Sequence, residues 1–535
     1  MEAGEKFNLN LRNLFINTPK NFSKTEIKYK NFRKYTYSEF FERIQGLAHG
    51  LESIGVKRGD VVAVIDWDTD KYLEAYFAVP MMGAVLHTVN IRYPPEIIYY
   101  TMNHAEDKYV ILRDEFLPII EKNAQLFDFI KGWIVYSDEG KEINSKLKPL
   151  YYYDDIVKKN HYEFPDLDEN TTATIFYTSG TTGFPKGVTF THRKLVMHTL
   201  ALSNAVQYPP LNLTRDHTFM ILVPMFHVHS WGIPFSAILN GNKYVLPGRY
   251  EVGTILELLK NENVKFSAMV PSILYMILSA PNLESYKEYL NGWKIVIGGA
   301  ALPRGLAMRA RSLGIITIGA YGLSETAPLL TIATYNDEIQ NADPEIKFNF
   351  SITTGIPVPM VNLRVVDQNM NDVPSDGKSV GEIIVRAPWL TTGYYKDPNK
   401  TEELWKGGWM HTGDLAVINP NGYISIVDRE KDAVKSGGEF IPSLVLENAI
   451  SELKGVGEVA VVGKSDEKWG ERPVAFIVKT SNINEKDVIE HLNKYVEVGR
   501  IQKWWIPDQI IFVESIPKTS TGKSDKKQLK EHLLR

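Results

Sequence analysis

The chain has 535 residues, too many for one hydrophobic core, so two or more domains are expected. A composition of 44% hydrophobic and 23% charged residues is that of a soluble globular protein, and a net charge of −4 gives no basic face for nucleic acid. The absence of cysteine excludes disulfides, a thiol nucleophile and Cys-based zinc or Fe–S sites.

The opening residues Met1-Glu-Ala-Gly-Glu-Lys6 have neither the basic start nor the apolar run of a signal peptide, so a cytoplasmic location is expected. Tyr37–Ile54 follows Thr36, carries apolar residues at helical spacing and stops at Gly55, the pattern of a capped helix. Asp60–Ile65 reads as a buried strand, and Ala75–Leu86 as an apolar helix interrupted by Pro80 and Gly83. Ala173–Tyr177 and Val188–Thr191 read as two strands, with a helix starting near Thr191.

Between those strands lies Thr178-Ser-Gly-Thr-Thr-Gly-Phe-Pro-Lys-Gly187. Its glycines let backbone N–H groups approach phosphate oxygens, its hydroxyls donate hydrogen bonds, and its lysine adds compact positive charge. It is not a Walker A loop, which needs GxxxxGK[ST] running into a helix. The three Gly-Lys-Ser tripeptides, at Gly377, Gly463 and Gly522, have Asp372, Glu458 and Pro517 where the first glycine belongs. Gly455-Val-Gly457-Glu-Val-Ala460 has dinucleotide-like spacing but precedes a strand instead of following one.

Thr218–Asn242 contains no charged residue and would pass a length test for a membrane span. Pro224, Pro234, His227 and His229 make it buried core with a bend instead. Across 218–330, the short apolar strands Phe219–Val223, Ser267–Val270, Lys294–Ile297 and Ile315–Gly319 alternate with helical segments, which predicts parallel α/β layers. From about 355 to 428 the texture changes to short strands and Asp-Gly, Pro-Asn-Gly and Asp-Pro turns, a β-rich subdomain. The charged run Asp428–Asp432 marks a boundary, and strands Val459–Val462, Val474–Val478 and Gln509–Val513 with helix Lys486–Tyr495 form a last domain.

Three more segments carry chemistry. Gly319-Ala-Tyr-Gly-Leu-Ser-Glu-Thr326 offers Tyr321 to stack on a base, Glu325 to hold Mg²⁺ and Thr326 to bond a phosphate. Asp414, in Trp409-Met-His-Thr-Gly-Asp414, is suited to accept from two ribose hydroxyls, although a cap is the usual role of such an aspartate. Pro517-Lys-Thr-Ser-Thr-Gly-Lys523 places a lysine after a glycine turn, a pattern that alone reads as solvated surface.

Taken in order, these motifs resemble the adenylate-forming superfamily of acyl-CoA synthetases, luciferases and peptide-synthetase adenylation domains. Gly83-Ala-Val-Leu-His-Thr-Val-Asn90 and Pro224-Met-Phe-His-Val-His-Ser-Trp231 are similar to fatty acyl-CoA ligases. The resemblance implies an α/β protein with a large N-terminal domain over 1–428, its β-rich part at 355–428, a hinge at 429–432 and a small mobile α+β domain over 433–535. It implies that Thr178, Ser179, Gly180, Thr181, Thr182, Gly183 and Lys186 grip the β- and γ-phosphates of ATP. Gly298, Gly299, Ala300, Ala301, Tyr321 and Gly322 would line the adenine and substrate sites. Glu325 with Thr178 would hold Mg²⁺, and Thr326 would touch the α-phosphate. Asp414 and Arg429 would bind ribose, and Lys523 would bridge the acid carboxylate and the α-phosphate. His227, Val228 and Trp231 would border the acid, Lys431 would be the hinge, and Gly437 and Gly438 would face the pantetheine of coenzyme A.

One departure is serine at 524, where an apolar residue is common. His227-Val-His229 could also read as a strand-spaced metal pair, without an identifiable third ligand. The implied activity is an acid–CoA ligase acting on a short- to medium-chain aliphatic acid, with a hydroxyacid as an alternative. Loading of a carrier-protein thiol, or a non-catalytic nucleotide-binding role, are rival readings. The expected partners are the acid, ATP and CoA, with a homodimer as a further expectation.

Overall fold

A computed structural model describes residues 7–178, 184–430, 432–437 and 439–533. Its strands form four sheets among those residues. The first has the order Leu150–Tyr152, Gly132–Tyr136, Asp107–Arg113, Val61–Ile65, Val85–Thr88, Thr172–Thr178, Lys186–Thr191. All its neighbours are parallel except the last pair, an antiparallel hairpin in which Thr178 faces Lys186. The glycine-rich segment therefore joins two strands, as its flanks predict, with Ser179, Gly180, Thr181, Thr182 and Gly183 outside the described residues.

The second sheet runs from Ile356–Pro357 through Leu329–Ile332, Ile316–Gly322, Lys294–Ile297, Val264–Met269, Thr218–Met220 and Tyr244–Leu246 to the hairpin Glu26–Tyr29 and Arg33–Thr36. Helices fill the space between the two sheets, and one apolar cluster unites Phe40 and Leu47, Phe77, Leu195, Val64 and Val296. Local sequence explains why these helices start where they do. Thr36 and Glu39 form a reciprocal capping box for Tyr37–Ser53, and Thr191 caps His192–Ala205 by accepting from the Lys194 amide.

The helix expected over Ala75–Leu86 lies earlier, at Asp70–Met81. Thr69 caps it by accepting from the Tyr72 amide, Pro80 is tolerated in the last turn, and Gly83 at φ +95° turns the chain into strand Val85–Thr88, which contains Leu86. The uncharged segment Thr218–Asn242 is a strand, a tight turn and helix Ile233–Asn240. Among the described residues no helix is long and apolar enough to cross a membrane.

Asn362–Val366, Gly381–Arg386, Met410–Ile418 and Ile424–Arg429 form the antiparallel β-rich sheet. The last sheet pairs Val456–Asp466 with Gly470–Lys479, which also takes Gln509–Val513 in parallel, and helices Ser443–Ser451 and Glu485–Glu497 cover it. This C-terminal unit rests on the large one at several points. Arg304 pairs with Glu452 at 3.5 Å, and a Cβ at Gly305 would lie 1.9 Å from the Ser451 carbonyl oxygen. Asn90 Nδ2 donates to Ser520 Oγ (3.1 Å), Arg92 Nη1 to the Ser520 carbonyl (3.2 Å) and Ser272 Oγ to the Gly522 carbonyl (2.9 Å).

Candidate active site

Those last three bonds hold loop 517–523 over a cavity of about 280 Å³. One end is polar, lined by Thr178, Lys186, Ser324, Glu325, Tyr394, Thr412, Arg429 and Lys523. Glu325 Oε1 accepts the Tyr394 phenol at 2.6 Å, and the Lys186 ammonium stands 4.4 Å from the centroid of the same ring. Burial, then the Glu325 charge, push the Tyr394 phenol well above its ordinary range, so it stays a donor. An oxygen-only set of Glu325 and Thr178 suits a hard cation such as Mg²⁺. Among the described residues there is no group of three His, Cys, Asp or Glu that could hold a metal ion.

Asp414 and Arg429 face each other on adjacent strands. Asp414 is 3% exposed; its Oδ2 accepts the Tyr321 phenol at 2.8 Å and its Oδ1 forms an ion pair with Arg429, 3.1 Å from Nε. Each carboxylate oxygen keeps a second lone pair. Arg429 and Tyr321 line the cavity themselves, and Asp414 orients both from behind.

The other end is apolar, lined by Leu202, Val206, Ile233, Phe266, Val296, Leu329 and Ile332. Trp231, Val228 and His227 stand between the two ends. Val228, His229, Ser230 and Trp231 all have left-handed backbone, with φ of +48°, +54°, +50° and +59°, followed by Gly232 at +70°. Such backbone costs non-glycine residues roughly 1–2 kcal/mol each. Ser230 Oγ bonding the Val223 carbonyl at 2.7 Å helps hold the turn, and only glycine fits at 232, where a Cβ would lie 2.7 Å from the His198 ring. The turn sends Val228 and Trp231 toward the cavity and His229 into an aromatic cage of Phe176, Phe190, Tyr76 and Phe235. The metal-pair reading of His227 and His229 thus fails, because the two rings occupy different surroundings. Burial, with the Lys523 and Arg92 charges added, pushes the His227 imidazole down to about 3, so it is neutral at working pH.

Lys523 approaches Gly299, where a Cβ would stand 3.4 Å from its Cε; a Cβ at Gly298 would stand 3.1 Å from the Trp231 ring. Of the other expected residues, Gly322 lines the cavity, but Ala300, Ala301 and Gly437 do not. Thr326 is fully buried; its hydroxyl donates to the Leu323 carbonyl (3.1 Å) and to the Pro328 carbonyl, so in this arrangement it shapes the turn behind Glu325. The Gly437 amide bonds the Trp469 carbonyl at 2.7 Å. Gly438 and Lys431 lie outside the described residues. Sequence reasoning missed Tyr394, whose only local signal was an aromatic pair after Gly393, and the whole apolar end.

Residues 17–395 match the model of the AMP-binding enzyme family, and residues 445–523 match that of the AMP-binding enzyme C-terminal domain. The chain belongs to the AMP-binding enzyme family of adenylate-forming acyl-CoA synthetases. It is similar to a long-chain-fatty-acid–CoA ligase of Thermus thermophilus, with 38% identity over 499 residues, 93% of this chain and 90% of the relative. A medium-chain-fatty-acid–CoA ligase of Ectopseudomonas oleovorans is 35% identical over 91% of this chain and 89% of its own length. Its fold is that of the anthranilate CoA ligase AuaEII, crystallised with anthranoyl-AMP, at a TM-score of 0.85, 21% identity and coverage of 100% and 99% of the two chains. Members of this family use ATP, Mg²⁺ and CoA.

The buried imidazoles have a consequence for stability. Burial holds His198 and His229 at about 3, whereas unfolding returns each to its ordinary value near ~6.5. Their contribution is therefore complete above that value and is lost progressively as pH falls toward about 3. The thermal midpoint should drop between pH 7 and 5, and His229→Leu should show a smaller drop than the parent. An equal drop in parent and variant would remove His229 from this account.

Proposed function

We propose that the chain activates a straight, unsubstituted medium-chain carboxylic acid with ATP and passes the acyl group to CoA. The observation that carries this reading is one cavity with cationic and hydroxyl-bearing residues on part of its lining and apolar residues on the rest, with Lys523 among the former.

The acid's carboxylate is ionised near neutrality and needs no general base. One of its oxygens attacks the α-phosphorus, the bond from that phosphorus to the bridging oxygen of pyrophosphate breaks, and an acyl adenylate forms. The obstacle is the approach of an anion to a polyanion. Lys523, beside Gly299, offsets the charge gathering between carboxylate and α-phosphate. Lys186 and the hydroxyls of the 178–183 loop would hold the departing pyrophosphate, while Tyr321 and Arg429, oriented by Asp414, would hold adenine and ribose. Glu325, with Thr178, would hold Mg²⁺, which when bound neutralises phosphate charge. His227 stays neutral beside the acid and so does not trap it as an ion pair. In the second half-reaction the CoA sulfur attacks the acyl carbonyl carbon and AMP leaves. The glycines at 437 and 438 and a hinge at Lys431 belong to that step in this reading.

Strand register supports the acid's length. Gly298, one residue past the Met269–Ile297 pair, donates its amide to the Met269 carbonyl at 3.3 Å, and Phe266 pairs with Lys294, four residues further down the same face, below the Ala268–Val296 pair. Four residues of strand span about 13 Å. Leaving ~3.5 Å for van der Waals contact with the Phe266 ring, about 9.5 Å remains, and an extended chain advancing ~1.2 Å per bond fills it with about eight carbons. The cavity-lining side chains at the deep end are apolar, and the Lys294 ammonium level with Phe266 already bonds the Leu211 carbonyl at 2.5 Å, so a terminal hydroxyl would gain little there. That argues against the hydroxyacid alternative, and the long- and medium-chain acids in the relatives' names agree with an aliphatic substrate.

Lys523→Ala should lower acid-dependent ATP–pyrophosphate exchange by about 10²–10³, the scale of losing one transition-state donor. Thioester formation from supplied acyl adenylate should change far less; equal loss in both half-reactions would sink the assignment. CoA-dependent AMP release screened over straight acids and hydroxyacids should peak near octanoate. Phe266→Ala should move the peak to longer acids, each newly buried methylene contributing ~0.8 kcal/mol, or roughly fourfold in kcat/KM. A preference for hydroxyacids, or an unmoved peak in the variant, would refute the depth argument.

A further inference from the structure

Lys526 opens the helix Lys526–His532, three residues beyond Lys523, and is 13% exposed. Its ammonium donates to Ser443 Oγ at 2.6 Å and pairs with Glu447 Oε1 at 2.8 Å, both on helix Ser443–Ser451. The same Ser443 donates its backbone N–H to Asp428 Oδ2 at 2.7 Å. Asp428 is 2% exposed and directly precedes Arg429, whose amide it also accepts at 2.8 Å. Glu447 accepts the Val461 amide at 2.8 Å, which fixes it to the C-terminal sheet.

We propose that Lys526 is a positioning residue that sets Lys523 and Arg429 relative to each other over the cavity, acting through Ser443, Glu447 and Asp428. Loop 517–525 moves as one piece: the Asp525 amide bonds the Pro517 carbonyl and the Thr519 amide the Lys523 carbonyl, each at 2.8 Å. Anchoring its base at Lys526 therefore determines where Lys523 reaches. At the other end of the cluster, Asp428 fixes the backbone from which Arg429 reaches Asp414 and the cavity. A single buried cation thus joins two cavity cations that are 94 residues apart in sequence. Its charge is needed because three carboxylates act on it, those of Glu447, Asp428 and Asp432. Burial alone would lower the ammonium, yet these carboxylates hold it above its ordinary value. Removing it would leave buried carboxylates uncompensated.

This inference rests on the proposed role of Lys523, so its test measures both half-reactions in the full chain. Lys526→Met should reduce acid-dependent ATP–pyrophosphate exchange by about tenfold to a hundredfold, the scale of misplacing a reacting group by ~1 Å. CoA capture of supplied acyl adenylate, which uses Arg429 but not Lys523 in this reading, should fall several-fold less than exchange does, and Lys526→Arg, which keeps the charge, should recover most of the exchange. Should Lys526→Met fold poorly, Lys526→Met combined with Glu447→Gln removes the excess negative charge. Exchange that stays low in the double variant while its thermal midpoint returns supports positioning. Exchange that returns with stability, or equal loss in both half-reactions, overturns it. A parent without exchange on any acid would overturn the activity reading and this inference with it, whereas an active parent with an unaffected Lys526→Met overturns this inference alone.

Discussion

Lys523 crosses to the large domain and comes to rest against Gly299, a residue whose missing side chain leaves room for it. Every other feature of the site is arranged around that approach. Loop 517–523 is held down by Asn90, Arg92 and Ser272, which come from both large sheets' connections, so the lysine's position depends on the two sheets being packed correctly. A lysine is a compact charge on a flexible stem, and its value in the reaction depends on where its nitrogen is held. The glycines at 298 and 299 therefore do two things at once: they admit the lysine from above and the Trp231 ring from the side.

The cavity works because its two ends have opposite chemistry within one continuous wall. The strands that lead to Gly298 and Ala320 at the junction carry Val296 at the apolar end, and period-two alternation keeps those three positions on one face. The left-handed turn at 228–232 closes the junction. Its strain is borne by packing: His198 against Gly232, and four aromatic rings around His229. A neutral His227 and an ammonium at Lys523 sit side by side, and burial of the imidazole with the nearby positive charge makes this division of charge stable.

The segments bound by local rules were the ones legible in the sequence. The helix start after Thr36, the alternation in 188–191 and the two strands flanking the glycine-rich run were read from spacing alone, and the helix and strands lie where the spacing predicts. The helix over 70–81 was misplaced because an apolar run outweighed a one-residue cap at Thr69. Tyr394 escaped because its function is a hydrogen bond to Glu325, 69 residues away, and no local pattern announces a long-range donor. Asp414 was read as an acid suited to two ribose hydroxyls, but its service as an acceptor for Tyr321 was not legible.

The sequence by itself determined the class of chemistry, since the glycine-rich run, Glu325, Arg429 and Lys523 supply hydroxyl donors, a carboxylate and cations in an order that resembles adenylate-forming enzymes. It also determined the α/β layering, because hydrophobic periodicity and caps act over a few residues. Only the tertiary structure brought together the apolar end of the cavity. Leu202, Val206, Phe266 and Ile332 are ordinary core residues in the chain and become a pocket floor only where a helix and strands from separate parts of the sequence converge. The same holds for Lys526, which in sequence is one basic residue of a charged tail. Its meaning comes from burial beside carboxylates at 428 and 447, a juxtaposition set by the packing of one helix against another and against the strand that ends at Arg429.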